Sequence, residues 1–440
     1  MKREIMLQRP AGLVPLKTLE PCVSATQARN ASQLRSQSTT SMHLVAERTR
    51  RLAGVHRLLS KQTQPILSAE VHPKAETFVV KKAETKQNTF MSSIGAKVID
   101  LFCGAGGLTY GLEKAGLDVI EGVDIDPACK YAYESNTKSK YVLKNAREYT
   151  AKEVNAAWDG ADHKVLVGCA PCQPFSTYTQ GERGTYKTKW VLLNKFADLV
   201  EQTKPAIVSM ENVTPLATKD AFRRFVGRLR RCGYTVSHSI VDCRLYGAPQ
   251  MRRRLVLLAS LKGPIDLIDP THPEEKDWVT VKEAIGTLDD LEAGTTSSED
   301  PIHRASRLSP LNLKRIRASK PGGTWRDWPK DLVAQCHLRD SGKTYPGVYG
   351  RMEWDKPAPT ITGQCFGFGN GRFGHPEQDR ALSLREAAIL QTFPPDYDFV
   401  EAETGPAMKT VGRMIGNAVP PLLGEVIGKS IKAHIEANSG

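Results

Sequence analysis

Nowhere in the 440 residues do about 18 apolar residues run together, the length that a membrane-spanning helix needs. The densest apolar stretch, Leu255 to Ala259, is only strand length. An integral membrane protein built on apolar helices is thereby excluded. Cysteine is sparse: nine in the chain, irregularly spaced, too few for a disulfide scaffold. A long apolar core followed by a small-residue cleavage site is missing from the N-terminus, so no secretory signal is read there. No second Cys-x-x-Cys or His pair completes a four-ligand zinc site, and no metal is expected. These absences point to a reducing, cytoplasmic compartment. What is present can bury a core: 40% hydrophobic and 25% charged residues, over a length that suits two or three domains of roughly 150 residues.

The net charge is +13, and it is unevenly placed. Residues 1–90 hold fifteen Lys and Arg against six Asp and Glu, which is +9 of that total. A basic balance suits a polyanionic partner without identifying one. The same segment is rich in Ser, Thr and Gln and has little periodicity. Only Leu44 to Leu59 shows a helical apolar face, with Arg48, Arg50, Arg51 and Arg57 around it. Residues 1–92 are therefore expected to be a largely disordered basic extension.

At Lys97 the pattern changes. Val98 to Phe102, Val119 to Val123, Val165 to Val167, Ile207 to Met210, Thr235 to Val241 and Leu255 to Ala259 have the composition of strands. Gly107 to Ala115, Leu192 to Gln202 and Asp220 to Arg231 have that of helices. Strands alternating with helices predict a doubly wound α/β sheet, whose ligands sit beyond the carboxyl ends of the strands. From about Lys262 to Trp354 the alternation stops, which suggests a smaller inserted domain. Residues 380–393 and 409–435 are expected to be helical again.

Four motifs lie at strand ends. Phe102-Cys103-Gly104-Ala105-Gly106-Gly107 follows one strand and opens a helix, as a loop that approaches a ligand closely would. The dinucleotide fingerprint expects its third glycine three residues on, where Thr109 stands, which weakens an NAD or FAD reading. Asp124 ends the next strand, where an acid can take both hydroxyls of a ribose, and Ile125 behind it could stack on an adenine. Gly168-Cys169-Ala170-Pro171-Cys172-Gln173 follows another strand. A Cys-x-x-Cys redox pair normally starts its helix directly, but here a polar loop continues to Thr185, which favours a nucleophile instead. Glu211 ends an apolar strand, and a desolvated carboxyl there can donate as well as accept a hydrogen bond. In Gln250-Met251-Arg252-Arg253-Arg254, strand alternation puts Gln250, Arg252 and Arg254 on one face, where two guanidiniums suit an anion or a carbonyl.

As an ordered set these residues resemble the DNA cytosine-5 methyltransferases of the prokaryotic type. Phe102-x-Gly-x-Gly-Gly is similar to the family's S-adenosylmethionine loop, Pro171-Cys172-Gln173 to its catalytic tripeptide, and Glu211-Asn212-Val213 and Gln250-x-Arg252-x-Arg254 to its next two motifs. Arg380-x-Leu-Ser-x-Arg385-Glu386-Ala387 resembles the motif that closes the recognition domain, and Gly416-Asn417-Ala418-Val419 the last one. The resemblance covers roughly residues 95–435. It implies a Rossmann-like S-adenosylmethionine-dependent methyltransferase sheet over 93–262, a target-recognition domain over 263–379, and a helical segment over 380–440 that returns to the catalytic domain. Two positions depart from the family pattern: Ala146 stands near the place of the acid that holds the adenine amino group, and Lys189 where an Arg is common.

The resemblance implies Cys172 as nucleophile on cytosine C6, Glu211 on N3 and the exocyclic amine, Arg254 on O2, and Arg252 supporting it or the backbone. It implies a cofactor pocket of Phe102, Gly104, Ala105, Gly106, Asp124, Ile125, Pro171, Leu192, Asn417 and Ala418 for S-adenosylmethionine as methyl donor. The expected partner is double-stranded DNA with its target base flipped out. The expected protein is a nucleoid-associated monomer, with a cognate restriction endonuclease as a further candidate partner. Trp325, Arg326, Trp328, His337, Arg339 and Tyr349 are candidates to read base edges or fill a distorted step. Two other readings stay open. One is a tRNA cytosine-5 methyltransferase, disfavoured because Gln364-Cys365-Phe366-Gly367 lacks the usual Cys-Phe-Thr. The other is a non-catalytic DNA-binding regulator, disfavoured because Cys172, Glu211 and both arginines are kept.

Overall fold

A computed structural model describes residues 95–171, 190–340, 342–401, 405 and 407–439. The expected tail helix at 44–59, the whole 1–92 extension, Cys172, Gln173 and Lys189 lie outside the described residues.

Short β-branched and leucine runs form the strands, and each places alternate side chains on opposite faces. They are β1 (Ala96–Leu101), β2 (Asp118–Asp124), β3 (Lys140–Leu143), β4 (His163–Gly168), β5 (Ile207–Val213), β6 (Thr235–Asp242), β7 (Gln250–Met251), β8 (Arg253–Ser260) and β9 (Ala358–Pro359). Seven make one sheet in the order β3-β2-β1-β4-β5-β8-β6. The pairings β1–β2, β1–β4, β2–β3 and β4–β5 are parallel, and β8 runs antiparallel to both β5 and β6. The strand order reverses between β1 and β4, so a crevice for ligand opens there at the carboxyl ends.

The helices α1 (Gly107–Lys114), α2 (Lys130–Asn136), α3 (Ala151–Ala157), α4 (Val191–Thr203) and α5 (Asp220–Arg231) connect these strands. Ile99, Leu101, Leu166, Val208 and Met210 pack with Trp158, Phe196 and Phe225 of the α3–α5 side. Their neighbours Val98, Val165, Val167 and Ile207 turn the other way, onto Leu108, Leu112, Ile427 and Ile431. Both faces are covered, which is why these strands lack a polar alternation.

The later helices are α6 (Val281–Ile285), α7 (Pro310–Ala318), α8 (Gln335–Leu338), α9 (Leu384–Leu390), α10 (Met408–Asn417) and α11 (Pro421–Ala437). The single helical stretch expected over 409–435 is thus two helices. Ala418 and Pro420 are extended, and Pro421 opens α11 at its first turn, where its missing N–H costs nothing. The run 250–254 is not one strand either. Arg252 breaks it, its N–H turning back to the Gln250 carbonyl at 2.9 Å. Among the described residues no helix is long and apolar enough to cross a membrane.

Candidate active site

Five neighbouring strands, β2, β1, β4, β5 and β8, bring the motifs to one edge of the sheet. After β1 the backbone turns sharply: Phe102, Gly104 and Gly106 all take positive φ, at 64°, 53° and 91°. A Cβ added at Gly104 would meet no atom within 4 Å, so the loop opens a free cradle at that point. At Gly107 the opposite holds, because a Cβ there would lie 2.3 Å from the Val419 carbonyl. The stretch after α10 therefore lies directly on the start of α1. Ala418 is its half-buried edge, with Asn417 exposed beside it.

Asp124, at the end of β2, closes one side of this cradle. Its Oδ2 accepts the Gly104 N–H at 2.9 Å and its Oδ1 the Asp126 N–H at 2.9 Å. Both oxygens are thus aimed by backbone, with lone pairs remaining for a ligand. Ile125 is 64% exposed, an apolar surface without cover among the described residues. Ala146 is buried, so it offers no side chain toward an adenine, and Lys144 pairs with Glu153 at 2.6 Å. Pro171 is exposed and Leu192 half-buried at the start of α4.

Beneath the loop, Asp100 is wholly buried. Its Oδ2 accepts from the Thr109 hydroxyl at 2.8 Å, while Oδ1 has no partner. Burial pushes its carboxyl up to about 7. The Tyr133 hydroxyl ties Thr109 (3.2 Å) to Ser139 (2.6 Å). This buried acid went unnoticed in the sequence, where it looks like one more residue of an apolar strand.

The second half of the site forms around Glu211, which is 3% exposed at the end of β5. The Cys169 thiol donates to its Oε2 at 2.8 Å. Arg254 enters from the amino end of β8, and because β8 is antiparallel that end lies beside the carboxyl end of β5. Its Nε is 3.0 Å from Glu211 Oε1, but off the hydrogen-bond direction, so Oε1 keeps no hydrogen bond. Asn212 donates to the Ala170 carbonyl at 2.8 Å and fastens the cysteine loop to β5.

Arg252 does not join this group by contact. It is 2% exposed and donates to the carbonyls of Ile361 (2.9 Å), Gly416 (3.3 Å) and Ala418 (2.9 Å). Burial pulls its guanidinium down to about 9. Gln250 is likewise a clamp, on Leu390, Gln391 and the Ile361 N–H. Of the alternatives held for Arg252, the geometry favours backbone support.

The recognition candidates also differ from expectation. Trp325, Trp328 and His337 are buried, Trp325 and His337 stack at 4.5 Å, and Tyr349 meets Trp328, His337 and Phe368 edge-on. The Trp325 and Trp328 indole N–H groups are spent on the Tyr345 carbonyl and the Ser319 hydroxyl. These rings form a small core, since a loop-rich segment has few aliphatic residues to bury. Arg326 and Arg339 are exposed.

The sequence and the fold recur in known proteins. The profile of the C-5 cytosine-specific DNA methylases matches residues 96–433. The chain belongs to that family. The type II methylase M.HgiDII of Herpetosiphon aurantiacus is 54% identical over 346 residues, covering 78% of this chain and 96% of that protein. The type II methyltransferase M.Eco47II of Escherichia coli is 32% identical over 360 residues, covering 80% of this chain and 82% of its own. A solved putative DNA modification methyltransferase encoded within an E. coli prophage superposes with a TM-score of 0.59 at 21% identity, over 78% of this chain and 99% of that one. That likeness concerns the fold. Cys169 stands one residue past β4, level with Glu211 on β5, and enters the sequence reading only within the Cys-x-x-Cys pattern.

Proposed function

We propose that the chain methylates C5 of a cytosine in double-stranded DNA, with S-adenosylmethionine held in the cradle between Gly104, Asp124, Ile125 and Ala418. The observation that carries this reading is the Glu211–Arg254 pair, buried at the sheet edge that also bears the glycine loop. The cradle fits the cofactor. The open space at Gly104 admits a ligand against the backbone, the Asp124 oxygens suit ribose hydroxyls, and exposed Ile125 suits the flat face of an adenine. Bound there, S-adenosylmethionine supplies an electrophilic methyl group.

The protein's own groups do the rest. The target cytosine is buried in a duplex and must be flipped into the pocket. The Cys172 thiolate adds to C6, which makes C5 nucleophilic. Glu211, carrying a proton, donates it to N3 and accepts from the exocyclic amine, offsetting the negative charge that develops on the ring. Arg254, beside the carboxylate, reaches O2. C5 takes the methyl, then loses its proton to a base as the Cys172–C6 bond breaks. Phosphate contacts supply affinity, and residues within 263–379 supply sequence readout. The type II methylases among its relatives support a place beside a cognate restriction endonuclease, and the same reading takes the chain as a monomer acting at the nucleoid.

Bisulfite sequencing of DNA from cells expressing the chain tests this. Cytosines at one recurrent sequence should resist conversion. Cys172→Ser should abolish that protection, because a hydroxyl is not ionised near neutral pH and adds poorly to C6. Full conversion in cells making the folded wild-type chain would overturn the reading.

A further inference from the structure

We infer that Cys169 is a positioning residue for Glu211: its thiol occupies one carboxylate oxygen and so presents the other to the substrate base. The inference rests on the proposed cytosine chemistry and adds a group to it.

A glutamate at a strand end can rotate its carboxyl, and a base that must be held edge-on needs one oxygen in one place. Here the two oxygens are unequal. Oε2 accepts from Cys169 Sγ at 2.8 Å. Oε1 is buried, has Arg254 Nε 3.0 Å away, and makes no hydrogen bond. An orphaned acceptor in a buried site is costly unless a ligand completes it.

Cys169 is itself fixed from both sides. Its N–H donates to the Leu101 carbonyl at 3.3 Å, at the root of the glycine loop, and the following residue's carbonyl is held by Asn212 at 2.8 Å. The thiol is therefore not a passive filler. It is tied to the first residues of both half-sites and aimed at the acid. Among the described residues the other charged or titratable groups around Glu211 are Arg254 and the buried Arg252 and Cys243, the last with its thiol pushed up to about 12 by burial. Among the described residues Cys169 donates a hydrogen bond to the carboxylate, so its removal leaves Oε2 without that donor.

The test compares the full-length chain with Cys169→Ala, Cys169→Val and Cys169→Ser, using a duplex that the wild type methylates. Val fills the thiol's volume without a donor, while Ser keeps a donor. Ala and Val should each lower kcat by roughly tenfold, with KM for DNA and for S-adenosylmethionine within about twofold. Ser should recover most of the rate. A packing role would instead let Val rescue better than Ser. That result, or wild-type kcat in both Ala and Val, overturns the inference. An inactive wild type would instead defeat the proposed function, so the two failures are separable.

Discussion

Asp100 and Asp124 lie on the adjacent strands β1 and β2 and face opposite demands. Asp100 is out of solvent, and burial raises its carboxyl from 3.8 to about 7. Between those values the folded chain holds a proton that the unfolded chain has lost. Its contribution to stability therefore falls as pH rises from about 4 to about 7. Asp100→Asn keeps an acceptor for Thr109 and cannot ionise. Urea unfolding at pH 5 and pH 7.5 should show a smaller loss of stability for the variant than for the parent, by on the order of a few kcal/mol. An equal loss in both would mean that Asp100 stays ionised in the fold. Asp124 is aimed outward, and a charged hydrogen bond to a ribose is worth about 1.5–3 kcal/mol, tenfold or more in affinity. Calorimetry should show Asp124→Ala weakening S-adenosylmethionine binding by at least that factor, with DNA binding affected less. Because Asp124 also holds the Gly104 and Asp126 N–H groups, Asp124→Asn should fall between Ala and wild type. An unchanged dissociation constant would move the ribose contact to Asp126, whose carboxylate is ion-paired with Arg413.

At the scale of elements, the arginine pair of the 250–254 run divides its labour across a break between strands. Arg252 faces inward and joins three segments through carbonyls of Ile361, Gly416 and Ala418. Arg254 lies on β8 against Glu211. Arg252→Lys cannot span those carbonyls and leaves buried acceptors unpaired, each costing about 1–3 kcal/mol. Denaturant unfolding should place it well below wild type, with activity falling in step. Arg254→Lys should unfold near the wild-type midpoint and lose kcat. Should Arg252→Lys keep wild-type stability while losing rate, Arg252 belongs with the base contacts after all. The sequence made the faces of this run legible, since alternate residues are buried and exposed as a strand requires: Gln250 and Arg252 in, Met251 and Arg253 out. It did not show what the inward side chains would meet, because Ile361, Gly416 and Ala418 are more than a hundred residues away. The same holds for α10 and α11, where apolar periodicity crosses Pro420 and Pro421 and only the missing N–H groups mark the stop.

Across the whole molecule, the doubly wound sheet was legible because its strands are continuous apolar runs, and the segment after Lys262 was not, because its order comes from contacts rather than periodicity. Two clusters divide that segment. Val281, Ile285, Ile302, Met352 and Ile361 pack with Tyr133, Leu384 and Phe393, on the cofactor-loop side of the molecule. A separate small core gathers Ile316, Trp325, Trp328 and Leu332 with half-buried Leu308, Leu313, Val348 and Tyr349, closed by Phe368 and Ala381. Arg351 sits under it, donating to the carbonyls of Ile316, Ser319 and His375. A part that reads DNA must vary without disturbing the catalytic core, and of these two clusters the second meets that condition better. We therefore propose sequence readout within residues 308–349, a narrower span than 263–379. With the rings turned inward, exposed Arg339 is a candidate on that unit to reach base edges or phosphates, while Arg326, also exposed, donates to the Lys343 carbonyl at 2.8 Å. Exchanging 308–349 for the matching segment of a relative with another target should transfer the target, as bisulfite sequencing would show. Exchanging 263–307 alone should leave the original target in place. A folded, active 308–349 chimera that still methylates the original sequence would return the readout to residues outside the aromatic cluster.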